Sequence, residues 1–383
     1  MNRTVSLKLI PSPEQAIKLM DMSIVFAQAC NAIVPFAKEH RCWNRVALHH
    51  LAYYSIRSSF PAMGSQMTCQ AIHRVADAYR TLKSNGGIVK DKPVPEIHFG
   101  CASVNYDHRT YRIRENGISL FTKEGREVVS FVCGSHQKNL MASGEPKEGK
   151  LICRKKQWFF NLVLEFPDID PIIEGGVMGV DVGENNIAAT SSGKVFGGGK
   201  LRFDRDRFLA HRRRLQSNGS RAAKRKLRTI SGRESRHVKH VNHEVSKAII
   251  EEAKRFNIRE IRMENLTHIR DHIKAGKRMR GRLHRWSFKQ LQDFVDYKAK
   301  SSGISVVYVN PAYTSKTCSV CGEIGKRDKH CFSCSCGNRR HADVNASVNI
   351  ASFADPIGST RAAINQPLFA HPKVRGVAIN SRL

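Results

Sequence analysis

Across residues 1–11 the side chains alternate, with Val5, Leu7 and Leu9 apolar between polar neighbours, which reads as a short strand ending at Pro11. Ser12-Pro13-Glu14-Gln15 follows with three agreeing helix-start signals. Ser12 can cap, Pro13 suits the first helical position, and Gln15 stands where a capping-box partner belongs. Ile17, Met20, Ile24 and Ala27 then recur at three- and four-residue steps, which makes them the expected apolar face of an amphipathic helix. The same period runs through Val46, Leu51 and Tyr54, and through Ile72, Val75, Ala76 and Tyr79, until Asn85-Gly86-Gly87 stops it. Residues 12–84 are therefore expected to be helical.

The period changes to two beyond Pro93. Residues 111–120 alternate around Asn116-Gly117, a hairpin signal, Val128 to Cys133 is apolar, and Phe160, Leu162, Leu164 and Phe166 alternate. Short strands with turns between them suggest a small antiparallel barrel over roughly 88–168. The strand at 1–11 would pair into it, making the helical block an insertion. Residues 168–176, with Pro171 and paired glycines, read as a linker. The second half looks α/β. Val177 to Asp181 is an expected strand with a hairpin partner at Asn186 to Ser191, and Val245, Ala248, Ile249 and Ala253 mark a helix face. A strand at 260–263, a helix at 286–300 and a strand at 305–309 follow. Residues 355–383 lack periodic signal and are expected to be a mobile tail.

Charge changes the picture. Among 383 residues, 64 Lys and Arg face 33 Asp and Glu, a formal charge of +31, while hydrophobic residues make up 41%. Such a chain can bury cores, in two to four units by its length, and it repels itself unless a polyanion neutralises it. The positive charge is clustered: residues 200–240 hold fifteen Lys and Arg against three acids. A second basic loop holds Arg270, Lys274, Lys277, Arg278, Arg280, Arg282 and Arg285, opposed only by Asp271. Like charges at helical spacing destabilise a helix without a counterion, so both runs are expected to face nucleic acid. The candidate contacts are Arg212, Arg213, Arg214, Lys224, Arg225, Lys226, Arg278 and Arg280. No run approaches the ~18 uninterrupted apolar residues of a membrane span, and the opening residues lack a signal-peptide core. A reducing compartment, no membrane and no small-molecule substrate are the expectations.

Eleven cysteines divide into six scattered ones (Cys30, Cys42, Cys69, Cys101, Cys133, Cys153) and five within residues 318–336. The scattered six are expected to be small buried apolar side chains. Cys318-Ser319-Val320-Cys321-Gly322 is a metal knuckle, whose two thiolates can reach one ion at ~2.3 Å. Cys331, Cys334 and Cys336 compete to close a tetrahedron. Gly337 after Cys336 mirrors Gly322 after Cys321, favouring Cys318, Cys321, Cys334 and Cys336 with Cys331 in reserve. A closed four-thiolate set is a structural zinc ribbon with no open position for catalysis. His330 and His341 lie nearby, but a lone histidine is more often a polar surface residue than a ligand.

Three acids stand out in a chain with few. Asp181 and Glu264 end apolar strands, and Asp343 follows the cysteines just before Val344-Asn345-Ala346. Each alone reads as a cap or surface acid, and Asp343 could simply cap the helix that follows. Together they suit hard divalent ions such as Mg²⁺, two of which at ~3.5–4 Å serve phosphodiester hydrolysis.

Taken together these motifs resemble the TnpB family, the OrfB proteins of small insertion sequences and relatives of the type V CRISPR effectors. The resemblance rests on Gly179-Val180-Asp181-Val182-Gly183 with Asn186, and on Met263-Glu264-Asn265-Leu266. Trp286, Tyr297-Lys298-Ala299 and Tyr313-Thr314-Ser315 continue it. The knuckle 318–322, Phe332 to Gly337, Asp343-Val344-Asn345-Ala346 and Asn349-Ile350 complete it, and Lys8-Leu9-Ile10-Pro11 with Glu14-Gln15 also fits. It implies a multidomain α+β and α/β protein. A wedge-like β-barrel (1–11 and 88–168) would carry a helical recognition insertion (12–87). A RuvC/RNase H-like nuclease domain (175–312 and 338–354) would enclose a zinc ribbon (313–337). It further implies that Asp181, Glu264 and Asp343 bind Mg²⁺ as the catalytic triad, with guide RNA and target DNA as partners in a prokaryotic cytoplasm, at the nucleoid. The expected activity is RNA-guided DNA cleavage beside a short flanking motif. A guide-independent recombination nuclease and a non-cleaving regulator are the alternatives.

Overall fold

The computed structural model describes residues 1–101, 103–267, 287–310 and 314–353. The basic loop 270–285 with Arg278 and Arg280, together with Trp286, Tyr313 and the expected tail 355–383, lies outside the described residues. The chain forms two compact units, Met1–Asp168 and Ile169–Leu383.

In the first unit, strand β1 (Asn2–Ile10) leads into α1 (Pro13–Glu39), α2 (Arg45–Ser59) and α3 (Gly64–Ser84). Ser12 caps α1 through a complete capping box with Gln15. Six strands follow: β2 (Ser103–Asp107), β3 (Tyr111–Arg114), β4 (Gly117–Thr122), β5 (Gly125–Val132), β6 (Glu145–Arg154) and β7 (Gln157–Glu165), with α4 (Ser135–Ser143) between β5 and β6. The ladder order is β2-β6-β7-β1-β5-β4-β3. The N-terminal strand thus lies at the centre, and Val5↔Leu162, Leu7↔Phe160 and Leu9↔Trp158 pair across it with all six side chains buried.

The expected small antiparallel barrel is present as an open half-barrel, because among the described residues no ladder joins β2 to β3. Helices α1 and α3 pack on β2, and Arg74 Nη2 donates to Ser103 Oγ at 3.2 Å. An edge covered by helices needs no closure.

Two helix faces differ from expectation. In α1 the buried side chains are Leu19, Met22, Phe26, Cys30, Ile33 and Val34, whereas Ile17 and Ile24 are exposed. In α2 Leu48, Ala52 and Ile56 are buried, while Val46, Leu51 and Tyr54 face solvent. Both helices carry apolar residues on more than one side, so several stripes fit the period and packing selects one. Helix α1 is long and apolar enough to cross a membrane by length and composition, and half of its apolar window is buried inside its own unit. Of the scattered cysteines only Cys30 is fully buried; Cys42, Cys69, Cys133 and Cys153 are partly exposed and Cys101 is exposed.

The second unit opens with β8 (Gly176–Asp181), β9 (Asn186–Thr190) and β10 (Val195–Gly197). Helices α5 (Gly199–Asn218), α6 (Arg221–Ile230) and α7 (Arg233–Arg255) lead to β11 (Ile258–Glu264), then α8 (Phe288–Lys300) and β12 (Ser305–Val309). The sheet order is β10-β9-β8-β11-β12, with β8, β11 and β12 parallel and β9 antiparallel to both its neighbours. Met178 and Val180 of β8 and Ile261 and Met263 of β11 point to one face, where Val245, Ile249, Leu291 and Val295 of α7 and α8 cover them. A small three-stranded ribbon follows, β13 (Lys326–Asp328), β14 (Cys331–Ser333) and β15 (Arg339–His341), and then α9 (Ala342–Ala351).

Helix α9 covers the opposite face of the five-stranded sheet. Gly179 makes this possible: a Cβ there would stand 1.9 Å from the Ser347 carbonyl oxygen and 2.6 Å from the Ala351 nitrogen. Arg262 Nη1 donates to the Ala351 carbonyl at 2.9 Å and ties the end of α9 to β11.

Candidate active site and metal centre

Strand alternation decides where the acids point. Residues 178 and 180 face α7 and α8, so Gly179 and Asp181 face α9. The parallel register Arg262↔Gly179 and Met263↔Val180 sets Glu264, the next residue of β11, beside Asp181 on that face. Asp343 sits in the first turn of α9, whose later turns lie over Gly179. Three carboxylates far apart in sequence therefore meet at the C-terminal ends of two neighbouring parallel strands, under a helix N-terminus.

Their partners hold them in distinct ways. Asp343, 6% exposed, accepts from Arg327 Nη2 at 2.7 Å on Oδ1 and from Asn186 Nδ2 at 2.7 Å on Oδ2. Glu264 accepts from the Thr314 hydroxyl, and the Gln292 amide donates to the Glu264 carbonyl at 2.7 Å. Burial pushes the Asp181 carboxyl up to about 8, helped by the nearby charges of Glu264 and Asp343 and opposed by Arg327. Burial also raises Glu264, against the Thr314 hydrogen bond. Among the described residues, Arg327 is the arginine paired with any of the three, and it takes one oxygen of Asp343. Asp181 feels the charges of both other acids, so the three are neighbours. Carboxylate oxygens are the donors a hard divalent cation takes, although the three do not bring one oxygen each within 4.8 Å of one another, as the sulfurs of the ribbon do. The expectation that Asp343 merely caps its helix is corrected: His341 occupies the cap position, its Nδ1 accepting the Asp343 N–H at 3.3 Å.

The ribbon gathers four sulfurs. Cys318, Cys321, Cys334 and Cys336 bring their Sγ atoms within 4.8 Å of one another, with Cys321···Cys334 at 3.4 Å and Cys318···Cys336 at 3.7 Å. Gly322 and Gly337, each following its knuckle cysteine, adopt φ of 81° and 86°, a conformation that costs other residues strain. Cys331 lies outside this set, exposed on β14 opposite His341. Burial disfavours the Cys318 thiolate, but hydrogen bonds from the Cys321 and Val320 backbone and from the Asn338 amide outweigh it and bring the thiol down to about 6. Against a backbone hydrogen bond at Glu323, hydrogen bonds with the neighbouring sulfurs push Cys321 up to about 12, so without a metal the cluster is part thiol and part thiolate. Four sulfurs around one point could, once deprotonated, hold a soft or borderline metal ion such as zinc.

Sequence reasoning named Asn345 and Asn349 only as motif residues and gave no role to the groups that join ribbon to acids. Asn345, fully buried on α9, accepts from the Ser319 N–H at 3.0 Å and donates to the Thr317 carbonyl at 2.7 Å. Asn349 donates to the Thr314 and Thr317 carbonyls at 2.8 and 2.7 Å. Their four-residue spacing on one helix face was the available signal. Arg327 had none, since its partner is sixteen residues away.

The six described candidate basic residues, Arg212, Arg213, Arg214, Lys224, Arg225 and Lys226, are all exposed on α5 and α6. Helix α5 buries only Leu201 along its twenty residues.

Comparison with known proteins adds the lineage. Residues 165–270 match the OrfB_IS605 family model, described as a probable transposase, and residues 288–350 match a model described as Cas12f1-like, TNB domain. The TnpB-like protein MJ0751 of Methanocaldococcus jannaschii is 33% identical over 275 residues, spanning 66% of this chain and 95% of its own length. The chain belongs to the TnpB family. The CRISPR-associated endodeoxyribonuclease Cas12f1 of Sulfoacidibacillus thermotolerans is 26% identical over 345 residues, 79% of this chain and 80% of that protein. A Cas12f1 solved with single-guide RNA and target DNA aligns over 92% of this chain and 99% of its own with a TM-score of 0.39 and 17% identity. The two segments matched by TnpB-related family models contain all three acids and all four clustered cysteines.

Proposed function

We propose that this TnpB-family protein is an RNA-guided DNA endonuclease of an insertion-sequence element, cleaving through a RuvC-type centre formed by Asp181, Glu264 and Asp343. The observation that carries the reading is the convergence of these three acids on one sheet face, with two of them raised in pKa by burial. An acid cluster that merely capped helices or met solvent would show neither feature. We assign the RuvC-type, RNase H-related fold to the second unit, with the four-thiolate ribbon between β12 and α9 holding structural Zn²⁺.

Asp181, Glu264 and Asp343 would hold Mg²⁺. Bound there, it supplies a water of lowered pKa and neutralises charge at the leaving oxygen of a phosphodiester. The chain's own groups do the positioning. Asn186 and Arg327 orient the two oxygens of Asp343, and Thr314 orients Glu264. Arg327 belongs to β13 of the ribbon, so the zinc-bound module acts on the carboxylate centre from one side. Asn345 and Asn349 lock that module to α9. The exposed arginines and lysines of α5 and α6 would line the path of a guide–target duplex, whose sequence is read by base pairing rather than by protein.

Asp181→Ala is expected to abolish Mg²⁺-dependent cleavage of a matched target while leaving RNA affinity unchanged. Loss of RNA affinity would show a folding defect instead, and retained cleavage would overturn the assignment. A discrete RNA of defined sequence should copurify with the wild-type protein; cleavage without any such RNA would favour the guide-independent nuclease.

A further inference from the structure

The ribbon also brings together two histidines that the proposed cleavage chemistry leaves unused. His330 follows β13 in the tight turn to β14, and His341 ends β15, opposite Cys331 across the ladder. The Ala342 N–H donates to the His330 carbonyl at 2.8 Å and fixes the two backbones side by side. The imidazole rings stack with centroids 5.6 Å apart and planes 24° apart. Asp343 joins them: one ligand atom from each of the three residues falls within 4.8 Å of the other two. The pair read separately as surface histidines forms, with Asp343, a compact trio of two imidazoles and a carboxylate.

We propose that His330, His341 and Asp343 form a further metal site, selective for borderline divalent ions such as Zn²⁺ or Co²⁺ over Mg²⁺, whose occupancy withholds Asp343 from the other two acids. The selectivity follows from donor type. Two nitrogens suit zinc and cobalt, whereas Mg²⁺ prefers an all-oxygen shell, and four thiolates make the neighbouring cluster a different kind of site. The carboxylate has room: ionised, it offers about four lone-pair positions, and Arg327 and Asn186 occupy two.

Two costs moderate the affinity. Ligand atoms about 2.1 Å from a tetrahedral ion lie roughly 3.4 Å apart, so the trio must close in slightly. His330 is exposed and can turn, while ligation through either nitrogen of His341 gives up the long 3.3 Å cap bond to the Asp343 N–H. Arg327 places a positive charge alongside. A three-ligand site with water in the remaining position, exchanging rather than permanent, is the outcome of these terms. Metal binding here stands by itself; its consequence for cleavage rests on the nuclease reading above.

The test uses the full chain with its four-thiolate cluster loaded with zinc, in excess Mg²⁺, titrated with Co²⁺ alone. Weak visible cobalt bands without an intense thiolate-to-cobalt band are expected. They should be lost in His330→Ala and in His341→Asn, whose side chain still caps α9, with both variants melting as the wild type does. Absence of the bands, their persistence in both variants, or a thiolate-to-cobalt band alone would overturn the site. In Mg²⁺-supported cleavage, added Zn²⁺ should inhibit the wild type. His330→Ala should need at least about tenfold more zinc, the usual scale for losing one supporting group of a metal site, at an unchanged rate in Mg²⁺ alone. Equal zinc sensitivity would overturn the withholding of Asp343. Failure of the wild-type chain to cleave with any metal would count against the nuclease reading only, since the cobalt spectrum decides the site without it.

Discussion

Asp181 carries the most telling chemistry of any single residue. With no cation present, burial and two neighbouring carboxylates lift it from an ordinary 3.8 to about 8. Between those values the folded chain holds a proton there that the unfolded chain releases. Stability of the metal-free protein should therefore fall as pH rises through that window, and the loss is complete above about 8. A divalent cation favours the ionised form, so its affinity should increase over the same range and its binding should release a proton. Thermal melts of metal-free protein across that range should show a steeper decline for wild type than for Asp181→Asn, which has no charge to bury. Parallel curves would mean that the carboxyl is not strained. Calorimetry of Mg²⁺ binding in buffers of different ionisation enthalpy gives the proton count directly.

At the scale of elements, the approach of α9 to β8 decides whether the third acid reaches the other two. Gly179 permits it, because a side chain there meets helix backbone, which cannot swing aside as a flexible side chain would. Gly179→Val is expected to cost about 1–3 kcal/mol in chemical denaturation and to abolish cleavage even where the variant remains folded. Asn345→Ala leaves the Thr317 carbonyl and Ser319 N–H without their side-chain partner inside the ribbon–helix junction, a loss of about 1–3 kcal/mol. If the four-cysteine cluster holds zinc as proposed, stripping it should likewise weaken cleavage by releasing Arg327 from Asp343, a loss that restored zinc reverses. These elements differ in how visible they were beforehand. In β8 and β11 Asp181 and Glu264 stood out because a carboxylate ending an apolar run is costly to bury, and both are indeed buried enough to have raised pKa values. The knuckles announced themselves through paired glycines. Helix α3 showed its face because Ile72, Val75, Ala76 and Tyr79 form its one apolar stripe, all buried. In α1 and α2 apolar residues occur on several sides, and only tertiary packing chose Leu19, Met22 and Phe26 over Ile17 and Ile24. Contacts such as Arg327 to Asp343 and Thr314 to Glu264 join separate elements, and no local period encodes them.

Over the whole molecule, a formal charge of +31 has to be answered by something outside the protein. Hydrophobic burial contributes little to holding α5, since Leu201 is its only fully buried side chain. Among the described residues, Arg212, Arg213 and Arg214 on α5 and Lys224, Arg225 and Lys226 on α6 form no ion pair with an acid, whereas Arg205 pairs with Glu234 and Lys194 with Glu252. The chain thus neutralises some of its cations internally and leaves this set turned outward. If they meet phosphates, each contact on a duplex contributes a slope of about −0.9 in log affinity against log salt. Replacing Arg212, Arg213 and Arg214 together with Gln should then weaken nucleic-acid binding and flatten that slope by about 2–3. The fold should be unaffected, because the three side chains are exposed and support no packing. Weaker binding with an unchanged slope would show that the arginines act through helix stability rather than through phosphates, and the basic face of α5 and α6 would lose its assignment.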